Sequence, residues 1–400
     1  MRRVQLNVAY WGWKEFIFSC YIHIISSGIK GKHINELESF IKSNFGLDNV
    51  YLLNSARAGI YQSLLVMKKI KTDKNEVILP KYICPSVIEV ITRAELKPIM
   101  ADIREDLTID PESIESLISE KTLAILMPHM YGKVSKINKI VQLSKQNDTF
   151  LIDDAAQLVG EFHQKQLVGT FGDVGVVSFS QSKTLVTGVR ASGGFLICNN
   201  DKINNYLMKQ YEGVPYSESR KSPFLHFVMT CLFKRYLGTI DYYLSRIKTK
   251  LGLPRKDYYK SITRISNVDA KIALIQFKKI DDIKKSNKKS LKEYQEHLHC
   301  LDSIHIPQLS SGVNFLTRLI IRTHKITPEE LSQFLNENGI ETRKAYMNGS
   351  QPFTGHPESG LLELPLVGLN EADVQYVASV LQRAESTLLK DKPWQIIQPS

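Results

Sequence analysis

The chain has 400 residues, 43% of them hydrophobic and 23% charged, with a formal net charge of +11, the composition of a globular protein long enough for one large or two moderate domains. No apolar run reaches the length needed to span a bilayer, and the basic-then-apolar start is interrupted by Lys14 and Glu15 with no small-residue cleavage site after it, which argues against a secretory signal. Five cysteines (Cys20, Cys84, Cys198, Cys231, Cys300) are scattered, odd in number and never in a Cys-x-x-Cys pair, which argues against a disulfide framework or a metal site and for a reducing, cytoplasmic setting.

A strongly basic chain invites a nucleic-acid reading. Here the basic residues are spread along the whole length and no nucleic-acid module is legible, so no such partner is expected. Attraction to diphosphate-bearing small molecules or to an anionic membrane surface is compatible with the charge, which does not choose between them.

In GIKGKHINELESFIKSNF, residues 28–45, Ile34, Leu37, Phe40 and Ile41 recur at helical spacing. A strand over 50–53 follows, and NSARAGIYQSLLVMKKI then opens a helix with Ser55 near its cap. Small residues at a strand-to-helix turn let backbone N–H groups face a phosphate, and the helix dipole adds to the attraction. EVILPKYICPSVIEVI reads as a buried strand, a turn carrying Pro80 and Pro85, and a helix. LKPIMADI is another strand, and the next helix is entered through Asp110 and Pro111. LAILMPHMYGKVSKINKIVQLSKQND gives strand, loop and helix, with His129 at the strand end either directed into a site or structural.

Residues 150–183, FLIDDAAQLVGEFHQKQLVGTFGDVGVVSFSQSK, organise the rest. An apolar strand ends in two aspartates, a glycine-punctuated passage follows, and a second strand (174–179) leads to Lys183 on the next turn. A carboxylate at one strand end and a lysine at another suit a pyridoxal phosphate (PLP) enzyme: the amine takes the cofactor's aldehyde and the carboxylate keeps the pyridine nitrogen protonated. The plain alternative makes Asp153 and Asp154 caps of a helix starting at Ala155 and Lys183 a solvated loop residue. Strands alternating with helices through residue 200 predict a mostly parallel sheet with helices on both faces, and cofactor sites of such sheets gather at the carboxyl ends of the strands.

IDDAAQ followed by FGDVGVVSFSQSK resembles the paired EDAAQ and FGD…SF…K motifs of the DegT/DnrJ/StrS family of PLP-dependent sugar aminotransferases. The resemblance extends from about residue 28 to residue 381 and is strongest over 50–194. It implies an α/β chain of the PLP-dependent transferase fold type I. Its large domain, residues 1–240 with an atypical helical insert at 213–260, has a mostly parallel sheet sandwiched by helices, and a smaller α+β domain occupies 261–400. Carried over position by position, Asp154 is the partner of the pyridine nitrogen and Gln157 lies against the hydroxyl side of the ring. Ser178 and the backbones of Ala56 and Arg57 hold the phosphate, with the Arg57 side chain a further contact. Lys183 tethers the cofactor, and no metal is implied. Where relatives stack an aromatic on the ring this chain has Cys84; the nearest aromatic, Tyr82, is expected to cover the ring unless something smaller packs there. Arg264 falls on the family's arginine, while the asparagine that reaches a neighbouring subunit's phosphate is Ile262. The loop after Lys183 lacks the family's glutamate.

The implied reaction moves an amino group from an amino-acid donor, typically glutamate, to the keto carbon of a nucleotide-sugar acceptor in glycan or polysaccharide biosynthesis, within a homodimer. Two alternatives stand beside it: a sugar dehydratase, whose members replace the lysine, usually with histidine, and a non-catalytic PLP-fold protein. Residues 213–260 interleave aromatics and leucines with Arg and Lys, which suits a packed helix pair or a basic amphipathic element touching a membrane through 222–250. Further on, NFLTRLIIR reads as a strand, TPEELSQFLNENGI as a helix capped near Thr327, and LPLVGLNEADVQYVASVL as strand, turn and helix.

Overall fold

The computed structural model describes residues 2–6, 10–25, 31–180, 183–188, 192–217, 261–306, 317–344 and 360–390. Residues 218–260 of the expected helical insert, with the membrane-contact segment 222–250 inside them, therefore lie outside the described residues.

Seven strands form the larger sheet: β1 (Val50–Leu53), β2 (Glu76–Pro80), β3 (Lys97–Ala101), β4 (Thr122–Pro128), β5 (Phe150–Asp154), β8 (Val174–Ser178) and β9 (Gly194–Cys198), with a small hairpin of β6 (Phe162–His163) and β7 (Gln166–Leu167) inserted. Their order is β1-β9-β8-β5-β4-β2-β3. β9 pairs antiparallel with both β8 and β1, and every other pairing is parallel, so one strand of the seven is reversed. The central strands are buried throughout, as their unbroken apolar runs predict for a sheet covered on both faces. On one face lie α3 (Ala56–Ile70), α4 (Pro85–Arg93) and α7 (Asp201–Glu212); on the other lie α5 (Pro111–Leu117) and α6 (Ile137–Gln146). β8 crosses close under the turn at 167–171. A Cβ on Gly175 would stand 1.7 Å from the Gly169 carbonyl oxygen, so only glycine allows that approach.

The smaller sheet has the order β10-β11-β13-β12, entirely antiparallel, from Ile304–His305 (β10), Leu319–Thr323 (β11), Arg343–Lys344 (β12) and Gly360–Leu364 (β13). It is covered by the helices Pro328–Glu337 and Glu371–Leu388. Each begins with a capping box, from Thr327 with Glu330 and from Asn370 with Asp373.

Packing crosses the expected division at residue 261. The helix Asn267–Phe277 packs against α2 (Lys32–Phe45), and its Ala270, Ala273 and Phe277 belong to the same apolar cluster as β1 and β9 of the large sheet. Helix Ile280–Leu298 then crosses over: Ile283 packs in that cluster, whereas Leu291, Tyr294 and Leu298 pack in the small-sheet core. The chain start joins the small sheet too. Val4 is buried there and exchanges backbone hydrogen bonds with Gly339 and Glu341. A contiguous cut cannot express this, because the polypeptide passes back and forth between two cores.

Helix α1 (Trp13–Ile25) was not anticipated. Trp11 and Phe18 pack on Val268, Ile272 and Ile275. Glu15 is buried beneath, accepting from Gln276 Nε2 and Lys279 Nζ, each at 2.6 Å. The charge that interrupts the apolar start is thus the anchor of the helix. No helix among the described residues is long and apolar enough to cross a membrane.

The two sheets meet around Tyr131. Its backbone is left-handed (φ 56°) and its ring clusters with Tyr82, Leu107, Met130, Ile320 and Leu361. The Tyr131 hydroxyl donates to Glu363 Oε1 at 2.7 Å, so its 2.8 Å contact with Tyr82 Oη must use the Tyr82 proton. Glu363 is wholly buried and also holds Arg318, which is 2% exposed. Removing that carboxylate takes an ion-pair partner from a buried guanidinium, so Glu363→Gln is expected to lose about 3–5 kcal/mol in urea unfolding. Wild-type stability would remove Glu363 from this role.

Lys133, beside this joint, is buried, and burial pushes its pKa down to about 8, against a smaller upward pull from Asp106 and with Arg322 adding to the depression. Between that value and the ordinary 10.5 the unfolded chain holds a proton that the folded chain has released, so stability rises with pH across the window. The stability difference between wild type and Lys133→Met is expected to shift in favour of wild type by roughly 2–3 kcal/mol from pH 7 to pH 11. Melting or denaturant curves at the two pH values measure it, and a pH-independent difference would refute it.

Candidate active site

Adjacent residues of a strand face opposite sides of a sheet, and this separates the two aspartates that end β5. Asp153 faces inward and is saturated. Its Oδ2 accepts from the N–H groups of Gly169 at 2.8 Å and Phe171 at 3.0 Å, and its Oδ1 lies 2.7 Å from His129 Nε2. His129 Nδ1 accepts the Ser135 N–H, so the imidazole is the Nε2–H tautomer with both nitrogens engaged. His129 is therefore structural, closing the β4 end onto the turn that passes over β8. No helix starts at Ala155, where turns run instead, so the capping alternative for the aspartates fails.

Asp154 is buried at the carboxyl edge, its Oδ1 accepting the Ala156 N–H at 3.0 Å. Burial raises its pKa, and the nearest strong counterweight is Lys183. Reciprocally, burial lowers the Lys183 pKa and Asp154 is the charged group that most opposes that change; Arg57 and Arg343 push it further down. Each of the two is the other's strongest charged neighbour. An amine held below its ordinary range has more of its neutral, nucleophilic form near pH 7.

The anion-binding corner lies three strands across. Register pairs Leu53 with Gly194 and Gly194 with Ser178, which sets the N-terminus of α3 beside the end of β8. A Cβ on Gly194 would reach 2.3 Å from the Val177 carbonyl oxygen and 3.0 Å from the Ala56 nitrogen, so the bare glycine permits this packing. Ser55 Oγ caps α3 by accepting the Ala58 N–H, the helix begins with Ala56 and Arg57, and Ser178 Oγ is 2.9 Å from Ser180 Oγ. Helix-start N–H groups, a serine pair and an arginine make a donor set for a phosphate dianion. A buried carboxylate suits a protonated ring nitrogen, and an amine whose pKa is lowered suits an aldehyde. The residues present fit PLP.

Gln157 is brought to the same edge, its Oε1 accepting from Thr317 Oγ1 at 2.8 Å, with Thr317 N–H on the Tyr131 carbonyl. Tyr82 is not brought there: its ring is 0% exposed in the cluster between the two sheets, which leaves no face open to a cofactor. Cys84 is the half-buried N-cap of α4 in the same turn. Arg264 binds the backbone carbonyls of Tyr211 and Glu212 and stacks on Tyr211 and Tyr216, and Ile262 packs on the main core. Sequence reasoning missed Thr317, Glu363 and Arg343. Their approach to the large sheet is a tertiary event with no spacing signal. Among the described residues no cluster of His, Cys, Asp and Glu could hold a metal ion.

Comparison with known proteins identifies the family. The chain is 29% identical to an uncharacterized protein of Methanocaldococcus jannaschii over 291 residues (72% of this chain and 67% of that one). It is 24% identical to a GDP-perosamine synthase of Vibrio cholerae over 323 residues (78% and 76%). Among solved structures, the PLP-form of a sugar aminotransferase of Streptococcus pneumoniae superposes with a TM-score of 0.74 at 18% identity, covering 97% of this chain and all of that one. The profile of the DegT/DnrJ/EryC1/StrS aminotransferase family matches residues 22–359. The chain belongs to that family and is a PLP-dependent sugar aminotransferase.

Proposed function

We propose that the protein transfers an amino group from glutamate to the keto carbon of a nucleotide-linked sugar, with Lys183 and Asp154 at the centre of the reaction. The observation that carries this is the reciprocal pairing of a half-buried lysine and a buried aspartate at the carboxyl edge, beside a helix start suited to an anion. When bound, the cofactor supplies an aldehyde for the incoming amine and a ring that accepts electrons from the reacting carbon. Lys183 Nζ would hold the cofactor at rest and, when free, would carry the proton to and from the substrate carbon. Asp154 holds the proton on the ring nitrogen, since a nearby anion favours the charged form. Ser178 and the first turn of α3 at Ala56 and Arg57 hold the phosphate, Gln157 lies along the ring's hydroxyl side, and Cys84 takes the place of the stacking aromatic.

The working form in this reading is a cytoplasmic homodimer; the family resemblance and the scattered cysteines support it, and sedimentation measures the dimer directly. The central test loads the purified protein with PLP, adds L-glutamate, follows the visible absorbance, and then supplies a panel of nucleotide-linked keto sugars. The expected results are a glutamate-dependent spectral change and an aminated sugar product. A protein that takes up the cofactor but aminates no member of the panel would overturn the nucleotide-sugar assignment.

A further inference from the structure

Gln157 is tied to both halves of the site and to the second sheet. It follows Asp154 in the turn whose Ala156 N–H the Asp154 carboxylate accepts. Its backbone carbonyl accepts from Thr184 Oγ1, the residue next to Lys183, at 3.3 Å. Its side chain reaches the other way, Oε1 accepting from Thr317 Oγ1 at 2.8 Å. Thr317 lies just ahead of β11 and is buried, its own N–H fixed on the Tyr131 carbonyl at 2.9 Å. The hydroxyl that meets Gln157 is therefore carried by backbone already tied to the end of β4.

An amide can exchange its oxygen and nitrogen by a half turn, and the neighbours here choose one arrangement. Gln157 Nε2 lies 3.9 Å from Met130 Sδ. A thioether accepts but cannot donate, so the nitrogen belongs on the sulfur side and the oxygen on the Thr317 side, where the hydroxyl gives it its one proton. Nε2 carries two N–H donors, and the weakly accepting sulfur is its hydrogen-bond neighbour among the described residues. Gln157 is half-buried, whereas Thr184 and Thr317, which hold it, are buried. The amide thus keeps donor capacity for a ligand oxygen while its orientation is set from behind.

We propose that Thr317 is a positioning residue for the cofactor: its hydroxyl holds the Gln157 amide with the nitrogen donors turned to the hydroxyl side of the PLP ring. The second sheet in this way fixes a donor that the large sheet carries. The proposal rests on the site reading above, in which Gln157 lies along that side of the ring. A donor there stabilises negative charge on the ring oxygen and so favours the loaded form with one proton fewer. An amide free to turn would present its own oxygen part of the time, and that oxygen cannot donate.

The test follows the visible absorbance of the PLP-loaded protein against pH, with the melting temperature measured alongside, for wild type, Thr317→Val, Thr317→Ser, Gln157→Ala and the Thr317→Val/Gln157→Ala double variant. Valine keeps the shape of threonine and removes the hydroxyl. Thr317→Val is expected to move the midpoint of the absorbance change upward, by about three- to tenfold in proton affinity. Thr317→Ser should return it to the wild-type position. In the Gln157→Ala background Thr317→Val should add no further shift, because the group it orients is gone. A Thr317→Val midpoint equal to wild type overturns the proposal, whatever the melting temperature does, as do an equal shift in both backgrounds and a wild-type absorbance indifferent to pH. Should Thr317→Val not fold, Thr317→Ala carries the comparison under the same rules. L-Glutamate is added to wild type in parallel. A spectral change there with an unshifted Gln157→Ala midpoint removes Gln157 from the ring, and the proposal with it, whereas no spectral change in wild type counts against the aminotransferase reading itself.

Discussion

Replacing Lys183 by alanine is expected to abolish both the visible absorbance of the loaded protein and amino-group transfer. Two functions are lost together. The covalent anchor disappears, so the cofactor is retained only through its phosphate and ring contacts and dialyses away. The proton carrier at the substrate carbon disappears as well, and a positioned general base alone is worth about 10²–10⁴ in rate. The substitution also deprives Asp154 of the cation that offsets its burial, so the apo variant should hold that carboxyl protonated to higher pH than wild type. Absorbance spectra before and after dialysis, together with single-turnover kinetics, measure the effect. A Lys183→Ala protein that keeps its absorbance and turns over glutamate at the wild-type rate would end the assignment.

Asp154→Asn is the complementary experiment and separates binding from chemistry. Asparagine preserves shape and can still accept the Ala156 N–H, while Lys183, Ser178 and the α3 start are untouched, so the cofactor should load normally. The ring nitrogen loses the anion that keeps it protonated, and the ring then accepts electrons poorly. Turnover is expected to fall on the order of 10²–10³-fold, the range for removing one preorganised electrostatic partner. Asp154 has also been the main opponent of burial at Lys183; without it the lysine pKa falls further. The rate of cofactor loading should therefore reach its plateau at lower pH than in wild type. A loaded Asp154→Asn enzyme of wild-type activity would contradict the role given to the carboxylate.

These two residues were legible because their signals are local. Strand β5 is an apolar run that stops at a carboxylate pair, and Ser178 and Lys183 stand five apart on one strand end and its turn. The phosphate corner was legible for a similar reason, since Ser55 caps the helix that immediately follows a strand. Tyr82 shows where such reading stops. Its place in the chain, two residues before Cys84, fits a ring-covering role, yet the small sheet closes over it and uses its hydroxyl for Tyr131. His129 lay in between: its strand-end position was plain, and only the hydrogen bonds to Asp153 and Ser135 assigned it to structure.

Apolar runs, caps and glycines act over a turn or two of chain, so the order of strands and helices, the cofactor class and the candidate anchoring lysine follow from residue order. Tertiary packing set the rest. It joined Glu363 to Arg318 and Arg343, set it against Tyr131 beside the first sheet, and divided the work of Asp153 and Asp154. It also laid Val4 and the helix Asn267–Phe277 into cores far from them in sequence. Those contacts join residues separated by tens to hundreds of positions. Burial, charge pairing and the exclusion of water decide them once the chain has closed, and no residue spacing encodes that closure.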